Sequence, residues 1–372
     1  RFGDDKWNSM QNFQYKLPGI MQQGPKAVLL VLDPKSGFNS IEEMNPGISN
    51  YLGKSRSLKE ENQEDENRPG RTGPSIALVH RKVADALVAP SGKTLKELQL
   101  EIDRELKPNS FEIEGVELRL EARMSSTDLE VSNVFGFIEG SDPGLKSEMV
   151  IYVAHYDHVG TDGKGGVFNG ADDNASGTVA LLEMAEAFMQ EKKAPGRSVG
   201  FLWVAAEEIG LFGSRYFADH PMVPVEQIAA VINLDMVART RSPEDAESGR
   251  RGLTIVGGDT VKVIGGLQSE VLMELNRQSL EEMGMAGNYR YNDITHPERY
   301  FYRSDHISFA RKDIPVLFYS TGTHRDYHLV TDTEERLDYD KFLKMTRFCY
   351  KAGYNVAQYD GAITVDNPMS SW

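Results

Sequence analysis

The sequence predicts an α/β fold: a mixed, mainly parallel central sheet flanked by helices, with a smaller α+β domain on its amino-terminal side. Three observations carry this. Continuous apolar runs at Met149–Ala154, Val199–Ala206 and Ile228–Leu234 read as strands covered on both faces. Segments of helical spacing, above all Thr178–Met189, alternate with them. Each run breaks off into His, Asp or Glu, at the strand ends where open α/β sheets collect ligands.

The chain of 372 residues is 40% hydrophobic and 26% charged, which suits a globular protein with room for two domains. A net charge of −15 argues against nucleic acid as a partner. No apolar run reaches the length of a membrane span, and no signal peptide is visible. The first residue is Arg1 and not Met, so the natural start is expected to lie upstream. Cys349 is the only cysteine, in a helical stretch where it reads as a buried small hydrophobe. With no thiolate cluster to build, any metal site must use His, Asp and Glu.

Taken in order, Ala27–Leu32 is a buried strand ended by Asp33-Pro34. Lys35 to Pro74 is loop-like and includes the charged run KEENQEDENRPGR. Ser75–Val79 is a short strand, and Val83–Leu87 and Leu95–Leu106 are helical. The composition shifts after Pro108, so the domain boundary is expected near Asn109, giving domains 1–109 and 110–372. Val116–Met124 alternates apolar and polar residues as a half-buried strand does, and Val131–Ile138 is a second strand. Beyond the three long runs, Gly213–His220 is a helix, Leu253–Val256 an edge strand and Val261–Met283 mostly helical. Ile307–Arg311 is a short helix, Val316–Tyr319 a strand and Tyr339–Gln358 a closing helix.

The chemistry-bearing residues sit where strands end. The first run leads into His155 and Asp157, the second into Glu207 and Glu208, and the third into Asp235. Val316–Tyr319 leads into a loop with His324 and His328, and a Gly-rich loop adds Asp173. Ionised carboxylates next to a core must be paired or metal-bound, and four such strand ends in one domain point to a metal site. Nitrogen and oxygen donors alone favour zinc, with manganese or cobalt as alternatives.

AHYDH, NGADDNASG, WVAAEEIGL, NLDM, SDHISFARKDIPVLF and DYHLVTDT, in that order, resemble the dizinc exopeptidases of peptidase family M28. The likeness covers about Val116 to the carboxyl terminus. It implies two zinc ions per chain: His155 and Asp235 on one, Glu208 and His328 on the other, Asp173 bridging. It further implies that Asp157 orients His155, that Glu207 is the general base acting on the attacking water, and that Tyr327 stabilises the oxyanion. His158 and His324 read as loop or supporting groups, His306 as a packed one and Asp305 as a group that shapes the site. His80, His220 and His296 belong to no motif and read as surface residues. Two departures from the pattern fall at turns: Leu329-Val330-Thr331 where relatives often carry proline, and Lys312-Asp313 where a glycine often sits.

The implied activity is removal of amino-terminal residues from peptides, in a periplasmic or secreted protein. A carboxypeptidase or dipeptidase would need a cation for the substrate carboxylate, and Arg239, Arg303 and Arg325 lie near the motifs. One-zinc glutaminyl cyclase chemistry and a non-catalytic binding module are further alternatives; the complete ligand set argues against both. GPKAVLLVLDP and PSIALVHRKVADAL resemble part of a protease-associated domain, which makes residues 1–109 a module of that kind. In relatives a catalytic segment precedes this module, so the chain is expected to be truncated at its amino terminus.

Overall fold

The computed structural model describes residues 13–44, 56–59, 74–121, 125, 127–162, 165–250 and 252–372. The chain divides into two units, which part between Leu129 and Glu130, with residues 56–59 grouped with the second. In the first, α1 (Phe13–Met21) precedes β1 (Ala27–Leu30), followed by the single-turn α2 (Ile41–Met44) and β2 (Ser75–Leu78). β1 and β2 pair in parallel, Ala27 opposite Ser75. α3 (Arg81–Val88) is capped by His80, whose Nδ1 accepts the Lys82 amide. α4 (Leu95–Glu105) starts at a capping box: Thr94 Oγ1 accepts the Glu97 amide and the Glu97 carboxylate accepts the Thr94 amide.

The second unit is built on β3 (Val134–Ile138), β4 (Met149–His155), the small hairpin β5 (Gly160–Thr161) and β6 (Val167–Phe168), β7 (Ser198–Val204), β8 (Ile228–Leu234), β9 (Thr260–Gly265), β10 (Ala286–Asn288) and β11 (Val316–Ser320). Its helices are α5 (Gly177–Gln190), α6 (Phe212–Asp219), the short α7 (Pro243–Glu247), α8 (Glu270–Glu282), α9 (His306–Ala310) and α10 (Tyr339–Gln358). The sheet order is β10-β9-β11-β8-β4-β7-β3. β11, β8, β4 and β7 run parallel, while β9 and β3 join antiparallel to β11 and β7. This is the mixed, mainly parallel sheet expected.

All seven residues of β4 are buried. Val150, Tyr152 and Ala154 enter one core layer with α5, α8 and α10; Met149, Ile151 and Val153 enter the other with α6 and α9. The two layers explain the unbroken apolar runs. Tyr152 reaches far enough to donate to the carbonyls of Cys349 and Tyr350, and a Cβ on Gly353 would lie 1.9 Å from its hydroxyl. Cys349 is buried as expected.

Arg197 shows how the closing helix is tied down. It is fully buried, pairs with Glu148 at 2.7 Å, and donates to the carbonyls of Val356, Tyr359 and Gly361. Arg197→Met should lower unfolding free energy by about 3 kcal/mol, because it orphans those acceptors and an acid beside the core. Denaturant unfolding of the metal-free protein measures this, and a loss below about 1 kcal/mol would contradict it.

Three expectations differ from the structure. Residues 116–121 form no strand; Leu118 and Leu120 stay about half exposed, so their alternation finds no partner strand. Residues 122–124 lie outside the described set, as does the charged run beyond Lys59. The segment 254–256 bonds to the backbone of Thr321 and Thr323 but is not a regular strand. The strand is β9, inside the stretch read as helix: β-branched Val261, Val263 and Ile264 favour it, Gly265 and Gly266 at positive φ end it, and α8 begins only after Ser269, whose hydroxyl accepts the Leu272 amide. Asp313, standing where a glycine was noted as common, adopts φ 58°, a conformation Asp tolerates better than most residues.

Candidate metal centre

The parallel strands β4, β7 and β8 end side by side and deliver His155, Glu207-Glu208 and Asp235 to one place. The backbone turns sharply to do so. Ala206, Met236 and His328 adopt φ of 55–60°, an uncommon region for residues other than glycine, each at or next to a predicted site residue. Asp173 arrives from the turn before α5, where Asn174 Oδ1 accepts the Gly177 amide.

The donor atoms converge. His155 Nε2 lies 3.5 Å from both Asp173 Oδ1 and Asp235 Oδ1. His328 Nε2 lies 3.1 Å from Asp173 Oδ2 and 3.1 Å from Glu208 Oε2. Asp173 therefore stands between the two groups. His155 Nε2, Asp173 Oδ2, Glu208 Oε1, Asp235 Oδ1 and His328 Nε2 are buried with no hydrogen-bond partner among the described residues. Buried polar atoms left in this state are costly unless a cation satisfies them. Nitrogen and oxygen donors at this spacing fit zinc.

The electrostatics agree. Burial would lower the His155 pKa, but the charges of Glu207, Asp235 and Asp173 raise it well above its usual value. His328, buried between Asp173 and Glu208, is held up to about 10 by those two acids. Burial and the neighbouring Glu208 push Asp173 up to about 6. Glu207 is raised well above the carboxylate range by burial and by Asp305, Asp235 and Glu208, against the opposing pull of His155. Glu208 is lowered despite burial by His158 and His328 beside it.

Asp157 meets both His155 and the turn that carries the two glutamates. Its backbone carbonyl, 3.1 Å from His155 Nδ1, is what meets the histidine; its carboxylate stands 3.8 Å off. That carboxylate instead accepts the amides of Glu207 and Glu208, at 3.0 and 3.3 Å, and so fixes the turn carrying both acids. Tyr327 stacks on His328 with ring centroids 3.8 Å apart and lines the cleft with Asp173, Glu207, Glu208 and Asp235. Burial and the charges of Asp173 and Glu208 keep its phenol protonated.

Sequence reasoning undervalued His158. Its Nδ1 is 2.8 Å from Glu208 Oε1, and it groups with Asp173 and Glu208 at metal-binding spacing. The signal was available: a second histidine three residues after His155 in the same loop. His324 lies 3.3 Å from Asp172 Oδ2, next to the proposed bridging acid. Asp332, part of DYHLVTDT but given no role there, accepts the amides of Asp172 and Asp173 and so holds that turn. His306 is a core residue, stacked on Phe318 and pushed down to about 3 by burial. Asp305 is fully buried and pushed up to about 7, chiefly by that burial.

Of the three arginines considered for a substrate carboxylate, Arg239 is spent on Asp326 and Arg325 on Glu244. Arg303 lines the cleft. Among the described residues no helix is long and apolar enough to cross a membrane.

Comparison with known proteins gives several likenesses. The model of Peptidase family M28 matches residues 133–352. A curated protein of Ajellomyces dermatitidis, "Leucine aminopeptidase 1", is 30% identical over 233 residues, covering 59% of this chain and 55% of its own. "Probable leucine aminopeptidase" of Arthroderma benhamiae is 26% identical over 223 residues, covering 58% and 56%. Among solved structures, a zinc aminopeptidase from Bacillus subtilis aligns with 24% identity and a TM-score of 0.48, covering 63% of this chain and 52% of its own. The chain thus spans a little over half the length of the curated relatives it matches.

Proposed function

Because the chain belongs to peptidase family M28, we propose that it is a zinc-dependent exopeptidase, an aminopeptidase that releases amino-terminal residues from peptides. The observation that carries this is the convergence of five buried donor atoms without a hydrogen-bond partner among the described residues, three of their residues at parallel strand ends. His155 and Asp235 would hold one zinc and Glu208 and His328 the second, with Asp173 shared by both groups. His158 stands beside Glu208, its Nδ1 2.8 Å from Oε1, and helps to position it.

Zinc bound there supplies Lewis acidity, which polarises a carbonyl and brings the pKa of water towards about 7. The remaining work belongs to the chain. Glu207 accepts the proton of the attacking water and returns it to the leaving amine, a task suited to a carboxyl whose burial raises its proton affinity. Asp157 keeps Glu207 in place through its amide. Tyr327, a neutral phenol on the cleft wall, donates to the carbonyl oxygen as it gains charge. The cleft wall also carries one cation, Arg303.

Arg303 also supports a second reading, a carboxypeptidase that uses it to bind a substrate carboxylate. A panel of aminoacyl anilides, amino-blocked peptides and free dipeptides separates the two, with zinc content measured alongside. About two zinc per chain and at least 100-fold loss on blocking the amine are expected. Turnover that tolerates a blocked amine but requires a free carboxylate, and falls with Arg303→Gln, would move the assignment to the second reading.

We further propose that residues 1–109 are a protease-associated module, supported by the parallel β1–β2 pair and the helices α3 and α4, and that the protein is periplasmic or secreted. With one cysteine there is no internal disulfide, so neither redox setting is excluded.

A further inference from the structure

The second unit has another polar cavity, of about 580 Å³, whose lining includes Arg241, Arg250, Lys262 and Arg290. In a chain of net charge −15, four cations around one cavity are an unusual local concentration. The acid in its wall, Asp245, already accepts the Ser242 hydroxyl and the Arg325 amide.

Lys262 is the informative residue. It sits mid-strand in β9, 1% exposed, with its Nζ over the faces of Tyr291 and Tyr300 at 4.3 and 4.5 Å. Those rings occupy part of the ammonium's surface, but Nζ has no oxygen acceptor among the described residues. The contrast with Lys341 is direct: that lysine is buried too, at 5% exposed, yet its Nζ donates to the carbonyls of Gly258 and Thr260. Burial lowers the Lys262 pKa to about 7, against the weak opposing field of Glu298. A hidden amine beside a cavity rimmed by arginines lacks one thing, an oxyanion.

We propose that this cavity is an oxyanion-binding site in which Lys262 is the buried cation, taking a phosphate or carboxylate group. It communicates with the cleft through one bonded chain. Thr254 lines the cavity, Tyr300 and Thr323 line the cleft, and the Tyr300 hydroxyl bonds both threonines. Arg250, on the cavity wall, also holds the carbonyl of Tyr327 at 2.8 Å. The occupant is either a free inorganic anion or an acidic group of the peptide itself; the second source rests on the peptidase reading, the first does not.

The test uses the zinc-loaded full chain and Lys262→Met. Phosphate is titrated calorimetrically into both, since phosphate held at the metals survives the substitution and only the difference reports the cavity. Peptides carrying Glu or its isostere Gln after the scissile bond are then compared. A free-anion site gives saturable phosphate binding that weakens at least tenfold in Lys262→Met. A substrate subsite gives a KM at least tenfold lower for the Glu peptide in the wild type and equal KM values in the variant. Turnover of a neutral leucyl anilide shows that the variant is folded. If it is not, the exposed pair Arg241→Gln and Arg290→Gln should still weaken the wild-type preference, for phosphate or for the Glu peptide, at least threefold. Neither phosphate binding nor a Glu preference in the wild type, or variants that match the wild type in both, overturns the proposal.

Discussion

Glu207→Gln should reduce kcat on a leucyl anilide by roughly 10²–10⁴, the range for losing a positioned proton-transfer group, while zinc content and KM stay close to wild type. The substitution is nearly isosteric. Asp157 grips position 207 through its backbone amide, so the turn keeps its shape with Gln in place. What disappears is the ability to take a proton from water and hand it on. Glu207 groups with His155 and Asp235 at ligand spacing, so metal content must be measured with the rate. A variant that keeps its zinc and more than a tenth of its kcat would remove Glu207 from the chemistry. A variant that loses zinc would make it a ligand.

The second large effect is expected at Asp173. Asp173→Asn should abolish turnover and reduce bound zinc to less than half the wild-type content, because both donor groups lean on this carboxylate. The same change should stabilise the metal-free fold at pH 7.5, on the order of 2 kcal/mol. The sign follows from the raised pKa. An acid whose folded pKa is about 6, against about 4 unfolded, destabilises the fold when ionised. That cost is absent below pH 4, grows between pH 4 and 6, and is complete above pH 6. Thermal melts of the metal-free proteins at pH 4 and 7.5 test it: the melting-point gain should appear only at the higher pH. A loss of stability at pH 7.5 would show that Asp173 holds the fold as well as the metal.

The strand ends that carry the candidate donors were legible because burial on both faces leaves an unmistakable apolar run, and because the residue after it has nowhere to hide its charge. His155, Glu207 and Asp235 follow such runs directly, and Glu208 comes one residue later. Lys262 shows the opposite case. One charged residue in the middle of β9 broke the run and made a helical reading of Val261–Met283 attractive, although the β-branched neighbours favoured a strand. Val116–Met124 misled in the other direction, since alternation describes a half-buried strand only when another strand is there to pair with it. The supporting layer was the least legible. Asp157 acts through its carbonyl as well as its carboxylate, and Asp332 through two amides far away in sequence; contacts of that kind leave no periodic trace.

The sheet order has a consequence for how the molecule comes together in time. β8 lies between β4 and β11, and β4 between β8 and β7, so strands some fifty to ninety residues apart must find one another before the site exists. Loop closure over such separations is slow compared with the formation of α5 or α10. The donors hang from the last contacts to form, and none of the two groups is contiguous in sequence. Zinc capture should therefore coincide with the final step of refolding, which makes uptake of the metal a clock for completion of the sheet.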